Sequence, residues 1–189
     1  MTQNNWRGIG LLLILLVLVF IQHFGQKPRH APPSASLVQN KSPDYTIEKF
    51  SSSVFNADGS LKYIIEANRL DHFPTGDTTE LQQPLIKLFQ PNKPTWFIQA
   101  QTGQSTQMDV IELAGDVTIF GETGTQRTPV KMLAENLTLH VDRKYAETQD
   151  QVTIATTSDT IRSLGLQADF ANDSLKFMSK VRAKHVTPH

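Results

Sequence analysis

A strand carrying a small residue, a polar turn and a returning apolar strand recur four times along this chain. The clearest copies are Leu133-Ala134-Glu135-Asn136-Leu137-Thr138-Leu139 with Val152-Thr153-Ile154, and Leu166-Gln167-Ala168-Asp169-Phe170 with Val181-Arg182-Ala183. A shift of about 34 residues lays Ala134-Glu135 over Ala168-Asp169. Upstream, the small residue recurs at Ala100 and Ala67, and the returning strand at Val117-Thr118-Ile119 and Leu85-Ile86. A period in the thirties with strand alternation inside it marks a repeat architecture, in which each unit buries its apolar face only by stacking on its neighbours.

Alternation of period two supports strands throughout the body of the chain. Leu61, Tyr63, Ile65 and Ala67 share one face, with Lys62, Glu66 and Asn68 on the other, and Trp96, Ile98 and Ala100 repeat the pattern. Turn chemistry stands between the strands at Asn56-Ala57-Asp58-Gly59, Gly115-Asp116, Gly121-Glu122-Thr123-Gly124, Asp142-Arg143-Lys144 and Asn172-Asp173-Ser174. Several strands are apolar on both faces, as at Ile64-Ile65, Leu85-Ile86 and Trp96-Phe97-Ile98. One sheet with a wet face does not need that, so the expected fold is all-β and antiparallel, with two layers facing each other as a sandwich or V-shaped roll.

Ahead of this body, Trp6 to Phe24 holds an apolar run flanked by Arg7, Lys27 and Arg29. As a helix it rises roughly 28 Å, enough for a hydrocarbon core of about 30 Å. A cleaved signal peptide is the alternative, but no A-x-A-like site follows in Gln22-His23-Phe24-Gly25-Gln26-Lys27-Pro28. Residues 1–25 are therefore expected to be a single transmembrane anchor with the body exported. Residues 26–44, with Pro28, Pro32, Pro33 and Pro43, are expected to be an extended tether, followed by the β body at 45–186 and a tail at 187–189.

Composition excludes several classes of function. From Tyr45 onward 14 lysines and arginines stand against 17 aspartates and glutamates, so no cationic field points to nucleic acid. Cysteine is absent, which removes thiolate chemistry and Cys-ligated metals. The histidines at 23, 30, 72, 140, 185 and 189 form no ligand pair of the H-E-x-x-H type, Asp71 and His72 point to opposite strand faces, and no P-loop, Rossmann or G-x-S-x-G fingerprint occurs. The chain is expected to be no enzyme, with no metal and no cofactor. Lys176, Lys180, Arg182 and Lys184 share parity on the last strand, opposite Phe177, Val181 and Ala183. Edge protection explains such a row, and contact with phosphates or an acidic neighbour is the functional alternative.

An apolar N-terminal run, a proline-rich segment and a body of strand repeats together resemble the LptC family of lipopolysaccharide export proteins. The stretches that carry the resemblance are Val54-Phe55-Asn56-Ala57-Asp58-Gly59-Ser60-Leu61-Lys62-Tyr63, Pro84-Leu85, Pro94-Thr95-Trp96, Gly115-Asp116-Val117 and Ser163-Leu164-Gly165-Leu166. The resemblance implies a twisted β-jellyroll open along one side, anchored in the inner membrane of a Gram-negative cell and lying in the periplasm. It implies a carrier that accepts lipopolysaccharide from an ATP-driven transporter (LptB, LptF and LptG) and passes it to the bridge protein LptA. The chain departs from the family mainly in its neutral tether with more proline.

Surplus apolar strand positions without chemistry suit a hydrophobic groove. Phe50, Phe55, Tyr63, Ile65, Leu81, Ile86, Leu88, Trp96, Ile98, Leu139, Ile154 and Phe170 are the candidates to line it, some of them as plain core. Gly165, Lys176, Lys180, Arg182 and Lys184 are the candidates for partner contact, with Gly165 expected at the entry to the last repeat. A scaffold with a dry, filled core that only holds partner subunits is the rival reading. The missing cleavage site yields a first prediction: the mature protein keeps Trp6 to Phe24 and fractionates with membranes, and a mature N-terminus between Gly25 and Ser36 contradicts it.

Overall fold

The computed structural model describes residues 42–106, 108–123 and 128–185; the expected anchor, most of the expected tether and the tail lie outside them. Among the described residues every regular element is a strand: β1 (Tyr45–Phe55), β2 (Leu61–Phe73), β3 (Thr78–Gln82), β4 (Leu85–Leu88), β5 (Trp96–Gln99), β6 (Thr102–Ser105), β7 (Val110–Thr123), β8 (Thr128–His140), β9 (Tyr145–Ala155), β10 (Asp159–Asp169) and β11 (Ser174–His185). All pair antiparallel in one sheet. β3 and β4 are two halves of one interrupted strand, both paired with β2, and β6 and β5 repeat that arrangement against β7. The chain is thus a meander in which each long strand pairs with the next, as turns at short intervals dictate.

One line of backbone irregularity crosses the strands near their middles. Lys49, Gln83, Gly115, Asp116, Gly165 and Lys180 have φ between 49° and 79°, and the ladders skip residues at Ala114/Val117, Leu133/Thr138, Leu164/Leu166 and Arg162/Leu164. Extra residues of this kind bend a strand and sharpen its twist. The two expected layers are therefore the two halves of one sheet folded across this line. Gly115-Asp116, expected as a turn, lies inside β7 on the line. Turns and bulges share this chemistry, because both use residues that tolerate positive φ.

Pairings carry the repeat across the sheet. Thr118 lies across from Leu133, Leu133 from Thr153, Thr153 from Arg162 and Arg162 from Arg182, which places three of the four expected returning strands at one level. The small residues align less completely. Ala134 pairs with Val117 beside Ala100, but Ala168 pairs with Ala146 across from Leu139, on the far side of the bend. Buried Ser163 takes the fourth small position, because the short turn between β9 and β10 shortens the last unit.

Ile65, Ile86, Ile98, Ile119, Met132 and Ile154 are successive cross-strand neighbours, and none is more than 3% exposed. Burying each such side chain contributes about 1.5–3 kcal/mol. A second row runs Leu70, Leu81, Gly103, Leu113 and Leu137 on the other half. The doubled apolar faces have a partly different explanation: Phe97 stacks on Phe120 on the outer face, ring centroids 5.0 Å apart, beside half-buried Ile64 and Leu85.

Trp96 packs directly over Gly121, where an added Cβ would stand 2.7 Å from the indole. Gly121→Ala should therefore destabilise the fold by about 1–3 kcal/mol through overpacking. A lower urea midpoint at unchanged m-value is the expected readout.

Candidate functional site

The inner face of the bent sheet forms one continuous apolar cluster. Tyr63, Ile65, Leu81, Ile86, Leu88, Trp96, Ile98, Leu139, Ile154 and Phe170 all lie buried in it, and Phe50 is half-buried against it. The structure does not place Phe55 there. It is 59% exposed, because the β1–β2 register shifts between Val54 and Phe55 and gives Val54 the inner position across from Tyr63. Hence most of the residues picked for a groove make up filled core.

Most of the exposed large apolar side chains lie instead on the two strands that pair on one side only, with Leu133 of β8 and Leu164 of β10 also exposed. On β1, Ile47 is 42% exposed across from buried Leu70. On β11, Val181 is 52% exposed, Leu175 lies across from Ala168, and half-buried Phe177 lies across from Leu166. Strand alternation in the sequence contains these positions, but the most apolar stretches of the chain are the central strands rather than the edges. A cavity of about 190 Å³ opens beside the start of β11, lined by Trp96, Val130, Phe170 and Leu175 among others. Trp96 and Phe170 meet there at 5.1 Å between centroids, tilted by 45°.

Polar contacts pin the same end. Gln90 donates to the Phe170 carbonyl and Lys144 to the Phe89 carbonyl, and Lys93 donates to Ala171 O and to Asp173, both of its bonds being 2.9 Å long. Lys62 meets Asp142 at 2.7 Å. Partial burial holds the Lys144 ammonium below its usual range. These bonds tie the β4–β5 segment to the β8–β9 and β10–β11 turns, so the core is clamped shut between the edges.

The two edges are attached differently. The first residues of β1 are exposed and held by polar groups: Thr46 donates to Asp71, Arg69 bridges Asp71 at 2.8 Å and Glu48 at 3.1 Å, and His72 meets Asp44 at 2.7 Å and Asp77 at 3.0 Å. Tyr45 stacks on the His72 ring at 4.6 Å. Hydrogen bonds from Arg69 and then Thr46 hold the Asp71 carboxyl below its usual range, and those to Asp44 and Asp77 raise the His72 pKa.

On β11 every residue except Phe177 is exposed. Lys176, Arg182 and Lys184 lie across from Gln167, Arg162 and Thr160, while Lys180 sits where the ladder skips a residue, with φ 50°. Gly165, expected at a strand entry, is in the middle of β10 with φ 79°, and an added Cβ would stand 2.9 Å from Met178 Cβ and Cγ. Its place on the bend required the tertiary pairing of β9, β10 and β11. Among the described residues no group of three His, Asp or Glu is arranged to hold a metal, and no buried side-chain polar atom lacks a partner.

A family model described as "Lipopolysaccharide-assembly, LptC-related" matches residues 10–186. The chain belongs to the LptC family. The lipopolysaccharide export system protein LptC of Escherichia coli K12 is 23% identical over 183 residues, covering 96% of this chain and 93% of that protein. The LptC of Haemophilus influenzae is 21% identical over 204 residues, covering 97% and 90%. A crystal structure of LptH from Pseudomonas aeruginosa, described as the LptA-homologous periplasmic component of lipopolysaccharide transport, superposes with TM-score 0.51 at 8% identity. That likeness covers 67% of this chain and 95% of LptH, and it establishes a shared fold.

Charge on His72 strengthens the β1 clamp, which sets a pH dependence. Its folded pKa is raised from 6.5, so the stabilisation is fully present just below that value and is lost as pH rises through the higher folded value. The clamp weakens again in acid as the lowered Asp44 and Asp71 carboxyls protonate. Amide exchange of Tyr45 to Glu48 should be faster at pH 8.5 than at pH 6 after correction for intrinsic rates, and His72→Gln should abolish the difference.

Proposed function

We propose that the chain is a non-enzymatic carrier in lipopolysaccharide export, receiving the lipid from the inner-membrane transporter LptB, LptF and LptG and passing it to the periplasmic protein LptA. The observation that carries this reading is the pair of unpaired edges whose inward side chains stay exposed while the core between them is filled. Val54 and Phe177 pack against the cluster, and exposed Ile47, Leu175 and Val181 extend the apolar surface along the same two strands, so acyl chains entering there trade water for apolar contacts. Unpaired strand edges also template pairing with another chain, which suits handover between proteins of related fold. The N-terminal anchor and inner-membrane location belong to the same proposal.

A scaffold that only joins partner subunits is favoured by one feature, the near-zero exposure of the central core. Photo-crosslinking from a residue at position 177 or 54 separates the two, since the carrier gives adducts with lipopolysaccharide and the scaffold gives adducts with protein alone. Phe177→Asp should lower lipid occupancy at least ~10-fold, because a carboxylate facing acyl chains must be desolvated or neutralised. Unchanged occupancy in a variant with wild-type circular dichroism refutes the edge as the entry site.

Gly165 separates lipid from partner contacts. Gly165→Arg forces a side chain into left-handed backbone and against Met178, displacing β11 from β10 while leaving the rows around Ile98 intact. The variant is expected to fold yet co-purify poorly with the transporter or LptA. Wild-type recovery with both partners removes any role of Gly165 in assembly.

A further inference from the structure

Lys49 and Lys180 share a setting that the other lysines lack. Each stands in an edge strand with φ near 50°: Lys49 between the Glu48–Arg69 and Phe50–Ala67 pairs, where the register is unbroken, and Lys180 in the register shift between Ser179 and Arg182. A lysine in left-handed backbone on an edge strand discourages unwanted pairing. Protection is thus provided once on each edge, and it leaves Lys176, Arg182 and Lys184 of β11, with Arg162 of β10, to be explained.

Their arrangement is costly. Arg162 and Arg182 are directly opposite each other, and like charges so placed destabilise a strand pair. Among the described residues no carboxylate forms an ion pair with Arg162, Arg182, Lys176 or Lys184; the carboxylate at this end, Asp159, meets the His185 ring at 2.7 Å. The β1 edge carries no matching row, since Glu48, Ser51 and Ser53 take the corresponding outward positions. Charge is therefore concentrated on one edge, and on that edge it alternates with inward-facing Leu175, Phe177, Val181 and Ala183. Acyl chains on the inward side and several negative charges on the outward side describe an anionic amphiphile. Paired guanidinium groups suit phosphate oxygens, which each can bind in bidentate fashion.

We propose that Arg162, Arg182 and Lys184 form a phosphate site for the headgroup of the lipid whose acyl chains lie against the inward face of β11. The site rests on the carrier reading and adds to it a cause for one edge being basic. Bound phosphate would neutralise the Arg162–Arg182 repulsion, so the edge should be more ordered when loaded.

The test uses the full chain in detergent micelles and three probes: bis-phosphorylated lipid A, the same lipid with both phosphates removed, and inorganic pyrophosphate as competitor. The wild type is expected to bind the phosphorylated lipid at least ~10-fold more tightly than the dephosphorylated one, in keeping with charged hydrogen bonds. R162A/R182A should abolish that preference while leaving the dephosphorylated lipid bound as before. R162K/R182K should keep part of it. Loss of folding is checked independently, because relief of repulsion predicts an equal or higher urea midpoint for R162A/R182A. Equal binding of the two lipids by the wild type, or a preference that survives R162A/R182A, overturns the headgroup site. Binding of neither lipid overturns the carrier reading itself. Displacement of the phosphorylated lipid by equimolar pyrophosphate overturns the lipid assignment in favour of a site for free phosphate.

Discussion

Folding one sheet across its own strands requires that the backbone stay hydrogen-bonded along the fold line. Left unmet, each buried N–H or C=O there would cost about 1–3 kcal/mol. Here the interrupted strands trade bonds across the break: Gln83 N donates to Gln101 O at 2.8 Å, Gln101 N to Gly115 O at 2.9 Å, and Ala100 N to Pro84 O at 3.2 Å. Pro84 has no N–H to leave unsatisfied and supplies only its carbonyl. Gln101 also covers Gly115 closely enough that a Cβ would meet its side chain at 2.8 Å, and it donates to Asp116 at 2.6 Å. With the line satisfied, both halves turn their apolar residues inward, and the rows through Ile98 and Leu113 can pack.

That bend also fixes where open apolar surface remains. A meander that does not close has first and last strands with one neighbour each, and inward residues on those strands have cover on one side only. Interior residues such as Ile86, Leu88 and Ile98 reach zero exposure, so they stabilise the body without being available to a ligand unless the edges part. The edges are built to differ. β1 is tied by ion pairs and the stacked His72, whereas β11 rests on β10 with Phe177 as its one half-buried side chain and a glycine bulge beneath Met178. Stability concentrated at the centre and weaker attachment at the margin are what a body needs if it is to admit a large amphiphile without unfolding.

The repeat and the alternation in the sequence determined an all-β meander with two apolar layers, because period two sets which side chains share a face and short polar turns force antiparallel neighbours. The same alternation marked Tyr63, Ile65, Ile98 and Ile154 as inward-facing, and the basic parity of Lys176, Arg182 and Lys184 was readable in the last strand. Tertiary structure alone decided which inward residues are core and which are open, since that depends on how many strands flank each one. It also moved the fourth small position to Ser163, exchanged Phe55 for Val54, turned Gly115-Asp116 from a turn into a bend, and set Gly165 in mid-strand rather than at a strand entry. The changes at Phe55, Gly115-Asp116 and Gly165 each go with a skipped residue in a ladder, and a skipped residue is specified by pairing between distant strands rather than by any local run of the chain.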